Sequence, residues 1–95
     1  MTKMMDTDDK PTTDRGWVAA MVADERQRQD AKWGKGRNLT LRTWLAILME
    51  EVGEVAKGSL EHDPRQLVVE ELVQVAAVAQ AAAEDGIENG WPEES

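Results

Sequence analysis

A chain of 95 residues holds one domain, and with no cysteine it forms neither disulfides nor thiolate metal sites. Nineteen acidic against eleven basic residues leave a formal charge of −8, which repels nucleic-acid backbones and argues against duplex binding. No apolar run reads as the roughly 18 residues that span a bilayer, and no signal-peptide core is recognised, so a soluble cytoplasmic protein without a membrane partner is expected.

Four Trp stand without any Phe or Tyr, so the core is expected to consist of Leu, Val, Ile, Ala and Met. No segment alternates as a strand does, and no hairpin signal falls between strand-like runs. The fold class expected is all-α: a small antiparallel bundle of about three main helices, completed by oligomerisation.

Residues 1–13 are polar and charged and read as a flexible N-terminal segment. Residues 14–86 read as one helical domain. Its first helix starts near Thr13 or Asp14, carries Trp17, Val18, Met21, Val22 and Ala31 on one face, and stops at Gly34. The loop that follows, residues 34–38, holds two glycines with Lys35 and Arg37, cations that are either solvated or phosphate-binding.

The second helix is expected from about Thr40 to Ser59, with Leu41, Trp44, Leu45, Leu48, Val52 and Val55 as its apolar stripe. Gly53 within it costs roughly 1 kcal/mol relative to Ala, which a close helix approach or room for a ligand would explain. His62 reads as a loop residue, Asp63 as an N-cap and Pro64 as the first residue of a third helix. That helix is expected to end at Asp85, before Gly86, and residues 87–95 form a short tail that can fold back. Its second half, residues 75–83, is apolar nearly all round, which points to cover from a second copy of the chain, as a homodimer or homotetramer.

Within these apolar runs two acidic clusters stand out, Glu50-Glu51-Val52-Gly53-Glu54 and Glu70-Glu71-Leu72-Val73-Gln74. Residues three apart on a helix share a face, with Cβ atoms roughly 5–6 Å apart, so Glu51 pairs with Glu54 and Glu71 with Gln74. If the two helices pack antiparallel, four oxygen-bearing side chains converge, which suits a hard cation such as Mg²⁺. A solvated acidic face is the alternative reading. It leaves unexplained why Glu51 adjoins Leu48, Val52 and Val55, since burying a carboxylate is costly unless it is paired or holds a metal.

Glu50-Glu51-x-x-Glu54 followed by Glu71-x-x-Gln74 resembles the MazG-like all-α nucleotide pyrophosphohydrolases, which carry EExxE and then ExxD. The run Glu25-Arg26-x-x-Gln29-x-x-Lys32-Trp33-Gly34 looks like that of the short phage and actinobacterial members, and the resemblance covers roughly residues 22–84. Gln74 departs from the pattern, standing where the family usually has Asp. The resemblance implies Mg²⁺-dependent hydrolysis of a nucleoside triphosphate to monophosphate and pyrophosphate, with Mn²⁺ as a possible substitute. It implies Glu51, Glu54, Glu71 and Gln74 as metal ligands and Glu50 with Glu51 as catalytic, Glu50 supporting the metal ligands from behind, helping to activate water or facing solvent. Lys32 and Trp33 become candidates for gripping phosphate and stacking on a base, unless Trp33 plugs the bundle end and Lys32 answers the helix dipole. Gln29 is a candidate for hydrogen bonding to the base or ribose. The competing class is a non-catalytic helical module that binds nucleotides or proteins with a degraded metal site.

Overall fold

Thr13 lies in extended backbone, and its hydroxyl accepts a hydrogen bond from the Gly16 N–H at 3.0 Å, capping α1, Asp14–Trp33. The structure, a computed structural model, describes residues 10–92, so residues 1–9 of the expected flexible segment and 93–95 of the expected tail lie outside the described residues. Gly34, at φ +90°, ends α1 and donates its N–H to the Asp30 carbonyl. Thr40 caps α2, Leu41–Leu60, its hydroxyl accepting from the Thr43 N–H at 3.1 Å. The third helix, α3, runs Arg65–Asn89.

Two boundaries differ from expectation. Pro64 itself occupies the N-cap position, and Asp63 caps nothing there; its N–H instead donates to the Gly58 carbonyl at 2.9 Å. His62 turns this connection in left-handed backbone and is exposed, as a loop residue should be. At the other end α3 continues through Gly86 to Asn89 and stops at Gly90, which adopts the left-handed conformation.

Gly86 serves packing rather than termination. The chain folds back so that the Trp91 indole lies on α3, its Nε1–H donating to the Ala82 carbonyl at 2.9 Å. A Cβ on Gly86 would stand 2.3 Å from Cζ2 of that ring. Gly86→Ala is therefore expected to lower stability by about 1 kcal/mol, overpacking outweighing the gain in helix propensity. In a Trp91→Ala background the same substitution should raise stability by about as much, as thermal denaturation of the four variants would read.

Trp44 near the start of α2 meets Asp85 near the end of α3, and Glu51 and Glu54 meet Glu71, so this pair is antiparallel. Along α1, Val22 packs with Val73 and Ala77 while Arg26 reaches Gln80 and Glu84, so α1 runs parallel to α3. The order is up, down, up. α1 and α2 both pack on α3 and make no comparable contact with each other. The result is a three-helix slab only 20 Å thick with an opening between α1 and α2.

The core is correspondingly small: Val22, Trp44, Val73, Ala77 and Val78 are buried, and Trp44 is 2% exposed. At about 25 cal/mol per Å² over roughly 200 Å², Trp44 alone contributes on the order of 5 kcal/mol. Several expected core positions are exposed instead: Trp17, Val18 and Ala31 on α1, and Leu41, Leu45 and Val52 on α2. A slab with one central helix buries one narrow stripe of each outer helix and leaves the flanks of a wider stripe bare. Gly53 is exposed with no atom within 4 Å of where a Cβ would stand, so no close helix approach within the chain accounts for it. An 18-residue stretch of α3 has a mean hydropathy of 1.2, so that helix is, contrary to expectation, long and apolar enough by length and composition to cross a membrane. In the fold it is the helix on which both others pack, though only 17% of that stretch is buried.

Candidate metal centre and its cleft

Helical spacing brings Glu51 and Glu54 to one face of α2, and antiparallel packing sets Glu71 of α3 against them. One carboxylate oxygen from each lies within 4.8 Å of the other two. Burial pushes the Glu71 carboxyl up from its ordinary range, and Glu54 and Glu51 add to the push. Burial raises Glu51 as well, helped by the charges of Glu54, Glu25 and Glu50.

Oε1 of Glu51 and Oε1 of Glu71 are buried and meet no hydrogen-bond donor. Leaving such an acceptor unmet costs roughly 1–3 kcal/mol, more for a charged group. A hard divalent cation answers both deficits at once, because it takes oxygen ligands and reverses the repulsion that raises the two acids. The donor set is all oxygen, which suits Mg²⁺ or Mn²⁺ over softer metals. The residues present therefore fit the ion the clusters suggested.

Above the triad lies a cleft of about 400 Å³ between α1 and α2, floored by Gln74 and Val78 of α3. Glu50, Glu51, Glu54, Gln29, Lys32 and Trp33 all line it; Glu71, also named from sequence, is not among its lining residues. Their stations differ. Gln74 faces the cleft one turn beyond Glu71, and Glu50 is exposed at its rim, outside the triad. Trp33 is 56% exposed, which does not suit a plug at the bundle end, whereas Trp44 is buried at 2%. Lys32 places its ammonium 4.8 Å from the Trp33 ring centroid. Gln29 is only 8% exposed, and its Nε2 donates to Glu25 at 3.0 Å.

Two further cleft residues, Glu25 and Arg28, were not singled out as site residues by spacing, and a third, Arg37, stood between solvated and phosphate-binding. Glu25 of α1 lines the cleft beside Glu51 and Glu54, and Arg28 grips it bidentately, Nε and Nη2 donating at 2.9 and 2.5 Å. Those bonds hold the Glu25 carboxyl below its ordinary range, so it stays a charged acceptor for Gln29. Arg37 enters the cleft from the α1–α2 loop. Glu25 and Arg28 read in sequence as one more helical charge pair, and only the packing of α1 aims them at the acids of α2.

Beneath the loop sits Asp85, 3% exposed. Its carboxylate accepts from the backbone N–H of Asn38 and Leu39, from Trp44 Nε1 at 2.7 Å and from Asn89 Nδ2. Despite burial, which opposes ionisation, these four donors hold its carboxyl below the ordinary range. Sequence carried one faint signal: an acid in the closing turns of a helix opposes the macrodipole and needs a partner.

Compared with known proteins, the chain matches no family model, no curated protein and no solved structure.

Proposed function

We propose that the chain is a Mg²⁺-dependent nucleotide pyrophosphohydrolase of the MazG-like kind, releasing a nucleoside monophosphate and pyrophosphate. One observation carries the reading: three carboxylates from two helices converge with two buried oxygens unmet, and two of the three, Glu51 and Glu54, line a cleft. Bound there, Mg²⁺ would neutralise phosphate oxygens and help orient the attacking water. Glu51, Glu54 and Glu71 would hold the ion, with the Gln74 amide oxygen as a further, neutral donor. Glu50 at the rim is placed to take a proton from water, while Lys32 meets phosphate and Trp33 offers an exposed ring for a base. Exposed Leu41, Leu45, Met49 and Val52 lie at spacings of four, four and three along α2, which supports assembly as a homodimer or homotetramer.

Incubating the chain with a panel of ribo- and deoxynucleoside triphosphates in Mg²⁺ and assaying pyrophosphate tests the reading. Release that disappears in Glu51→Gln with helicity retained is the expected result. Gln74 favours a second reading, a nucleotide-binding module without turnover, because an amide ligand leaves the ion less well held. Nucleotide binding with no pyrophosphate released from any member of the panel would select it.

A further inference from the structure

We propose that Arg37 is the residue that grips the anionic end of the ligand, and that Asp85 is its positioning residue, acting through Trp44 and the α1–α2 loop. This rests on the cleft binding a phosphoanhydride. Arg26 and Arg28 are both spent on carboxylates, Glu84 and Glu25 respectively. Arg37 forms no ion pair among the described residues; it is half-buried, its guanidinium 4.5 Å from the Trp44 ring centroid and 6.0 Å from that of Trp33. Stacked in this way a guanidinium keeps its in-plane N–H donors free, and that flat fork matches the oxygens of a phosphate. The ring beneath it is not free to turn. Asp85 holds Trp44 by the indole N–H and the loop by two successive backbone N–H groups, Asn38 and Leu39, directly after Arg37. One buried carboxylate thus fixes both the surface on which Arg37 lies and the backbone that carries it.

The probe is inorganic pyrophosphate, titrated calorimetrically into the full chain in metal-free buffer and again with Mn²⁺ present, after Mn²⁺ alone. Arg37→Gln should weaken pyrophosphate binding roughly tenfold and leave Mn²⁺ binding unchanged. Asp85→Asn should weaken pyrophosphate similarly, yet add no further loss in the Arg37→Gln background. A merely structural role would add its loss in both backgrounds. If Asp85→Asn loses its helical circular dichroism, Trp44→Phe replaces it, keeping an aromatic face while removing the N–H that Asp85 accepts. Unchanged pyrophosphate affinity in Arg37→Gln, additive losses in the double variant, or no pyrophosphate binding by the wild-type chain in either buffer would overturn the assignment. Failure to take up Mn²⁺ would instead overturn the metal centre, and the metal-free titration would still judge Arg37.

Discussion

Glu71→Gln is expected to abolish most of the proposed pyrophosphate release, by about 10²–10³-fold, while making the metal-free protein more stable. A ligand that helps hold the ion contributes several kcal/mol to transition-state charge stabilisation, and each 1.36 kcal/mol is tenfold in rate. The gain in stability follows from the two raised acids. Glu51 and Glu71 titrate above their ordinary range in the fold because burial and neighbouring carboxylates disfavour their charge. Between the unfolded value, about 4.3, and the raised folded values, the native chain binds more protons than the unfolded chain. Their stabilising contribution is therefore complete below the unfolded value and is lost as pH rises through the folded ones. Removing one acid relieves the other, so the melting temperature of Glu71→Gln minus that of wild type should widen as pH rises, then level off. If the triad is the metal site proposed above, saturating Mn²⁺ should narrow that gap by stabilising wild type alone. Parallel stability–pH curves for the two proteins would show that Glu71 is not packed against the other acids.

Asp85→Ala is expected to cost 3–5 kcal/mol or so, which for a domain this thin approaches its whole stability. Truncation leaves the Trp44 indole N–H and two loop N–H groups without an acceptor, each roughly 1–3 kcal/mol when buried. Chemical denaturation would measure it. The pH dependence runs opposite to that of the triad. Asp85 is held below its ordinary range, so its contribution is present above the unfolded value, near 3.9, and is lost as pH falls through the folded one. Asp85→Ala should therefore lack an acid-unfolding component that wild type shows. A loss below 1 kcal/mol would mean that water serves those donors equally well.

The helices were legible because their punctuation is local. Thr13, Thr40 and Gly34 act within one turn of themselves, through caps and a left-handed stop that depend on no distant contact. The errors fell where a local signal had a stronger tertiary competitor: Gly86 yielded its stop to the Trp91 ring, and Asp63 yielded its cap to the closure around Gly58. The apolar stripes were visible as stripes, but which residues within them are buried was not. Burial depends on how many helices lie against each face.

Of the site, spacing alone set Glu51 beside Glu54 on one face and placed Glu71 within a second apolar run, because helical period is a property of the chain. That the two faces meet, that α1 stands apart from α2 to open a cleft, and that Glu25, Arg28 and Arg37 point into it were decided only by tertiary packing on α3. Contacts between residues such as Trp44 and Asp85, 41 positions apart, come from the geometry of three helices and carry no periodic trace in the sequence.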